Sequence, residues 1–256
     1  MLFDSHAHYD DESFDNDRFE TIGKAHESGV SYMLNAAVDV SSAKESISLA
    51  EKYDFFYAAV GIHPHNVEYI NDDTLSIIAK LAENPKVVAI GEIGLDYYYD
   101  TAPREMQKHW FAKQIDLAKS LNLPIIVHDR DAHEDSLNII KAENAKSVGG
   151  VFHCYSGSVE MAKILLDNNF YISIGGTVTF KNARKVKEVV EYFPIERILI
   201  ETDSPYLTPE PYRGKRNDSS YVALVAEKIA QIKNIKFEEV AEITTENALR
   251  LFKIRD

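Results

Sequence analysis

The chain has 256 residues, of which 45% are hydrophobic, and a net charge of −13. This length suits a one-domain α/β barrel, and nothing in the composition marks disorder. An acidic balance argues against a protein that coats nucleic acid by bulk electrostatics, because phosphates are neutralised by Lys and Arg. It leaves room for a site where carboxylates and histidines hold metal ions that bring positive charge locally.

Short β-branched or aromatic runs alternate with segments of helical period, the pattern of an α/β fold. The first strand is expected at residues 1–8. One amphipathic helix should follow through Phe14, Phe19, Ile22 and Ala25 and stop near Gly29. Further strands are expected at 32–36, 55–62, 87–92, 125–128, 150–154, 171–174 and 198–203. Helices are expected between them at 41–52, 73–83, 103–121, 159–168 and 183–192, with another opening at Asp131 as cap and Glu134 reaching back. Two helices, at 220–232 and 237–253, close the chain. Eight strands, each followed by a helix, at about 28 residues per step define a single (β/α)₈ TIM barrel over residues 1–256. A doubly wound open sheet would usually show a Gly-rich phosphate loop after the first strand, where this chain has His6-Ala7-His8.

Polar residues fall where that barrel would bring them together. Five strands end in His6/His8, Glu92, His128, His153 and Asp203, each after an apolar run. Burying such groups without partners is costly. The C-terminal strand ends of a barrel meet at one face, where active sites of this fold lie. His6 and His8 are two apart, so both point to one side of their strand. One buried histidine alone is more often a hydrogen-bonded core residue. Six candidate ligands converging on one face read as a metal site. Six exceed the needs of one catalytic ion and fit two divalent ions (Mg²⁺, Mn²⁺ or Zn²⁺) sharing a carboxylate, roughly 3.5–4 Å apart.

Six segments together resemble the TatD family of metal-dependent deoxyribonucleases, within the amidohydrolase superfamily. They are Asp4-Ser5-His6-Ala7-His8, Gly61-Ile62-His63-Pro64-His65, Gly91-Glu92-Ile93-Gly94-Leu95-Asp96, the His128 strand, His153-Cys154-Tyr155-Ser156-Gly157 and Glu201-Thr202-Asp203-Ser204-Pro205-Tyr206-Leu207. The resemblance covers nearly the whole chain. It implies that His6, His8, Glu92 and Asp203 hold one metal and that Glu92, His128 and His153 hold the second, with Glu92 bridging. It implies a DNA substrate and magnesium-dependent trimming of single strands from the 3′ end. The stretch Arg213-Gly214-Lys215-Arg216-Asn217 also resembles the family, but Ser219 stands where a proline is often found.

Glu92 and Asp203 are the expected catalytic residues, with Asp203 taking a proton from the attacking water. His63 and His65, after the third strand, are expected to contact substrate phosphate. Arg213, Lys215 and Arg216 are candidates for the same role, because loops after the last two strands of this fold commonly bind phosphate. The alternative for them is a solvated loop or pairing with carboxylates. Arg104 and Arg130 are weaker candidates for the same role, with an ion pair at a helix start or loop as the alternative for each. At least two of Tyr97, Tyr98 and Tyr99 are expected to pack, and Tyr155 and Tyr206 are open between packing and base stacking. Cys154 should point away from His153 and be a buried small residue. No Gly-x-Ser-x-Gly elbow supports a serine hydrolase. Fold and metals do not set the substrate, so esters, cyclic amides and aminoacyl-tRNA are alternatives, as is a non-catalytic metal-binding protein. One cysteine, no visible signal peptide and no long apolar run lead us to expect a soluble cytoplasmic protein. No membrane or obligate protein partner is expected, and no dimer motif argues against a monomer.

Overall fold

The computed structural model describes residues 1–255. Eight strands form one parallel sheet in the order β1 to β8. They are β1 (Leu2–Ala7), β2 (Val30–Ala36), β3 (Phe56–Val60), β4 (Val87–Asp96), β5 (Ile125–Arg130), β6 (Gly150–Phe152), β7 (Phe170–Ile174) and β8 (Ile198–Ile200). A parallel bridge from Ala7 to Ser204 joins the last strand's extension to the first. Asp203 donates its N–H to the His6 carbonyl at 2.9 Å and His8 donates to the Ser204 carbonyl at 2.8 Å. These bonds close a TIM barrel and exclude the open sheet.

Nine α-helices occur among the described residues: α1 (Arg18–Glu27), α2 (Val40–Ala50), α3 (Asp72–Leu81), α4 (Arg104–Leu121), α5 (His133–Ala142), α6 (Val159–Asp167), α7 (Arg184–Tyr192), α8 (Val222–Lys233) and α9 (Phe237–Leu251). The larger hydrophobic cluster lies between helices and strands and includes Ile22 of α1, Ile78 of α3, Phe111 of α4 and Ile229 of α8. A second cluster takes residues from all eight strands, among them Phe3, Leu34, Ala59, Ile126 and Leu199. Leu251 of α9 and the adjoining Phe252 belong to it, so the end of α9 plugs the barrel interior at the end away from the C-terminal ends of the strands.

That interior cluster sets which side chains reach the site. Alternation along a strand carries Ile126 to His128, Val151 to His153 and Leu199 to Glu201. On β1 and β4 simple alternation fails. Register shifts between Asp4 and Ala7, and between Ile90 and Ile93, re-aim those strands beside His6 and Glu92.

Several expected boundaries move. β4 continues past Glu92 to Asp96, because it pairs with β5 again beyond the shift, as far as Asp96 with Arg130. β6 and β8 are only three residues long, so His153 and Asp203 sit in the connections just beyond them. The first helix is split: Phe14 closes a short 3-10 turn, α1 begins at Arg18, and Phe19 is exposed. Asp131 caps no helix. It has φ +54°, and α5 starts after Ala132 with no side-chain cap.

Candidate active site

The path of β4 places Glu92. The chain passes so close to β5 that a Cβ on Gly91 would lie 2.6 Å from Ile126 Cβ. A Cβ on Gly94 would lie 2.0 Å from the His128 carbonyl oxygen, at φ +144°. Only glycine permits both approaches. Between them, the Glu92 N–H donates to the Ala37 carbonyl at 2.9 Å.

The Glu92 carboxylate faces five imidazoles. Oε1 lies 2.7 Å from His128 Nδ1, 2.8 Å from His153 Nε2 and 3.5 Å from His63 Nε2. Oε2 lies 3.3 Å from His6 Nε2 and 3.7 Å from His8 Nε2. Asp203 Oδ1 completes the second side at 3.4 Å from His8 Nε2. The donors fall into three overlapping groups, His6/His8/Asp203, His63/Glu92/His128 and His6/His153/Glu201, the last sharing His6 with the first. The Nε2 atoms of His6 and His8 approach to 3.2 Å. Imidazole nitrogens and carboxylates turned inward at such distances suit a divalent cation.

His8 and His128 are held from behind, whereas the Nδ1 atoms of His6 and His153 are buried without a hydrogen-bond partner among the described residues. His8 Nδ1 donates to the Ala36 carbonyl at 2.8 Å, leaving Nε2 free for a ligand. Asp96 Oδ2 accepts from His128 Nε2 at 3.0 Å and from His65 Nε2 at 2.9 Å. That fixes His128 with Nδ1 toward Glu92. Glu201 Oε1 lies 3.6 Å from His153 Nδ1 and accepts the Cys154 N–H at 2.7 Å. Asp4 ties the end of β8 to β1 by accepting from the Thr202 N–H at 2.8 Å and the Thr202 hydroxyl at 2.6 Å. Ser219 adds a third bond to Asp4 through its hydroxyl, at 2.5 Å, and donates its N–H to the Tyr9 hydroxyl oxygen. A proline at that position could make neither bond.

Electrostatics follow from these contacts. Burial penalises the Glu92 charge, but the charge of His153 and hydrogen bonding from His128 and His153 outweigh it and hold the carboxyl well below its usual range. Asp203 is also depressed, because hydrogen bonding from His8 and the charges of His153 and His8 overcome burial. His8 is pushed up to about 9 despite burial, by Asp203 and Glu92. Burial and the neighbouring His128 hold His63 well below the ordinary histidine value. Burial pushes the Asp4 carboxyl up to about 7 against its three hydrogen bonds.

A metal ion held by His8 would have to compete with protons for its imidazole. Because this imidazole's pKa is raised, the proton is bound below about pH 9 and must leave on ligation. Mn²⁺ affinity should rise with pH up to that value and then level. Titration calorimetry in buffers of different ionisation enthalpy should record proton release. An affinity flat between pH 6 and 9 would contradict this.

Of the expected site residues, His6, His8, Glu92, His128, His153 and Asp203 converge, and His63 joins them. His65 reaches the same cluster through Asp96. A cleft of about 1000 Å³ opens over Glu92, His128 and Asp203. Arg213, Lys215 and Arg216 do not line it. Arg216 pairs with Asp17 at 2.6 Å and lies over the Phe14 ring. Arg213 packs over Phe180, and Lys215 lies over Tyr212. Arg104 does form an ion pair, with Asp100. Arg130 forms none among the described residues; it lies over Tyr98 and lines the cleft. Of the three consecutive tyrosines only Tyr97 is half-buried, donating to Asp135 at 2.6 Å, whereas Tyr98 and Tyr99 are 59% and 60% exposed. Tyr155 is buried, and Tyr206 is exposed with its hydroxyl donating to Asp11. Cys154 is half-buried with φ +43°, beyond the end of β6 where strand alternation no longer applies. Burial pushes its thiol well up, so it is no thiolate nucleophile.

Asp96 and Glu201 are the carboxylates that the sequence reading did not assign. Asp96 lies in a quoted motif, four residues after Glu92. Asp96→Asn keeps the volume and can still accept from the Tyr98 and Tyr99 N–H groups. It should lower metal affinity about 10–100-fold, the usual cost of losing the partner that orients a ligating histidine. Equal metal affinity in the variant and the wild type would show that His128 needs no such support.

A closed parallel barrel carrying this histidine and carboxylate cluster at its C-terminal face is that of a metal-dependent hydrolase. The chain belongs to the TatD related DNase family, whose model matches residues 3–253. It is 51% identical over 254 residues to the uncharacterized metal-dependent hydrolase YabD of Bacillus subtilis (strain 168), covering 99% of this chain and 100% of that protein. It is 31% identical over 259 residues to the 3′-5′ ssDNA/RNA exonuclease TatD of Erwinia tasmaniensis, covering 99% and 100%. The crystal structure of YjjV, a TatD homologue from Escherichia coli K12, superposes with a TM-score of 0.93 at 30% identity, covering 99% of this chain and 98% of that one. No helix among the described residues is long and apolar enough to cross a membrane.

Proposed function

We propose that this metal-dependent hydrolase cleaves DNA phosphodiester bonds, acting as a 3′-5′ exonuclease on single strands. The observation that carries the reading is Glu92, whose two oxygens face separate donor groups at the floor of an open cleft. That arrangement suits two divalent ions (Mg²⁺, Mn²⁺ or Zn²⁺) sharing one carboxylate. His6, His8 and Asp203 would hold one with Glu92 Oε2. His128 and His153 would hold the other with Glu92 Oε1, and His63 is placed to join them. Bound there, divalent cations supply Lewis-acid charge for a phosphoryl group and make water acidic enough to attack it. The relative named as a 3′-5′ ssDNA/RNA exonuclease supports the choice of substrate.

The protein's own groups supply the rest. Asp203 stays ionised through its histidine neighbours and lines the cleft, so it can orient a water and accept its proton. Its backbone has φ +57°, a costly conformation for a residue with a Cβ. The Asp4–Thr202 bonds and the N–H bond to His6 hold it there. His63 is kept neutral, so it can donate one hydrogen bond or ligate without bringing its own charge. Asp96 keeps His128 and His65 in fixed tautomers.

The test uses metal-stripped protein and end-labelled single-stranded DNA, with and without Mg²⁺ or Mn²⁺. Stepwise shortening from the 3′ end, only with metal, is expected. No shortening with any metal would overturn the reading in favour of an ester or amide substrate at the same centre.

A further inference from the structure

The cleft has two unlike walls. One carries Asp10, Asp39 and Glu45. Asp10 is tied to Asn35 and Ser42, and Glu45 to Arg18. The other carries Arg130, Tyr99 and His65. Arg130 lies two residues after His128 on β5, so it shares the inward face one strand repeat farther out, about 7 Å toward the mouth.

Arg130 differs from the chain's tied arginines. Arg18, Arg104 and Arg216 each pair with a carboxylate. Arg130 has no ion pair among the described residues, in a protein of net charge −13. Its guanidinium lies instead over the Tyr98 ring, 4.6 Å from the centroid, and 6.0 Å from that of Tyr99. Stacking fixes the plane of the guanidinium and leaves its N–H edge free to donate. The tyrosines are anchored in turn. Asp96 Oδ1 accepts from the Tyr98 N–H at 3.0 Å and the Tyr99 N–H at 2.8 Å, while Oδ2 of the same carboxylate holds His128. One buried carboxylate thus sets the aromatic wall at a fixed offset from the metal-binding cluster.

A guanidinium with a free edge matches phosphate geometry, and the Tyr99 ring, exposed although in edge-to-face contact with Tyr98 and His65, offers aromatic surface to a base regardless of its identity. The acidic wall opposite repels a phosphate chain. We propose that Arg130 and Tyr99 form a subsite for the nucleotide next to the scissile bond, so that the cleft selects polynucleotides over small phosphodiesters. The inference rests on the phosphodiesterase reading above.

Rates in Mn²⁺ on hexathymidylate and on bis(p-nitrophenyl) phosphate test it, because the small diester has no neighbouring phosphate. For Arg130→Met, kcat/KM on hexathymidylate should fall about tenfold more than on the small diester, chiefly through KM. The salt dependence of hexathymidylate KM should lose a slope of about 0.7, that of one single-strand phosphate contact. Arg130→Lys should restore the slope but only part of the affinity, since it keeps charge and loses the stacked plane. Tyr99→Ala should lose affinity without changing the slope. Lys163→Met, which removes an exposed charge on α6, should change neither substrate. Equal losses on both substrates, or an unchanged slope in Arg130→Met, would overturn the subsite and leave the phosphodiesterase reading standing. If the wild type cleaves neither substrate, that reading fails, and anisotropy of fluorescein-labelled hexathymidylate decides the subsite separately. Binding that Arg130→Met weakens supports it; binding indifferent to Arg130, or none, overturns it.

Discussion

Glu92→Ala should lose at least about a thousandfold in turnover, the scale expected when a site's preorganised electrostatic stabilisation is removed. Glu92 has an oxygen within 4 Å of each donor cluster, so its loss removes a candidate ligand from each. The barrel should still fold. Glu92 belongs to neither hydrophobic cluster, and histidines left without its charge can shed their protons instead of remaining charged and buried. Circular dichroism should match the wild type. The Tm should differ in one respect: Mn²⁺ should raise it in the wild type, by mass action on the folded state, and much less in the variant. A folded Glu92→Ala protein with normal turnover would dispose of the proposed centre.

Asp203→Asn separates proton transfer from metal binding. The amide keeps the shape and one oxygen donor but cannot accept the proton from water. Activity at neutral pH should fall about 10²–10⁴-fold, the usual worth of a positioned general base. The wild-type profile sets the sign. Because His8 and its neighbours hold the Asp203 pKa below the ordinary carboxylate value, the base is ionised through the neutral range and is lost only as pH falls through that depressed value. In the variant that acidic limb should disappear from kcat. A variant that keeps wild-type kcat with metal bound would assign the proton to another group.

The residues that converge at the site were legible because two local signals coincide. Apolar runs mark strands, and a polar residue at the end of each run marks the barrel's C-terminal face. Both are read within a few residues, so His6, His8, Glu92, His128, His153 and Asp203 could be picked out without knowing any contact. The alternation of strand and helix likewise required only local hydrophobic period. It placed all eight strands and erred mainly at their ends.

What the sequence could not supply was the partner of each polar group. Asp96 meets His128 across 32 positions, Glu201 meets Cys154 across 47, and Arg216 meets Asp17 across 199. No periodicity links such residues. Barrel closure alone made Asp96 a support for His128 and His65, set Glu201 against the backbone beside His153, and tied Arg216 to an aspartate. Closure also left Arg130 as the cation facing the cleft, with Tyr98 and Tyr99 exposed beside it. The register shifts on β1 and β4 that turn His6 and Glu92 inward depend on how neighbouring strands pair, which the strand's own residues do not determine. Burial pattern is a property of the local chain, so the sequence by itself determined the elements and their inward polar ends. Hydrogen-bond partnership is a property of the closed fold, so only the tertiary structure decided which side chains converge on the cluster, which brace it, and which line the cleft.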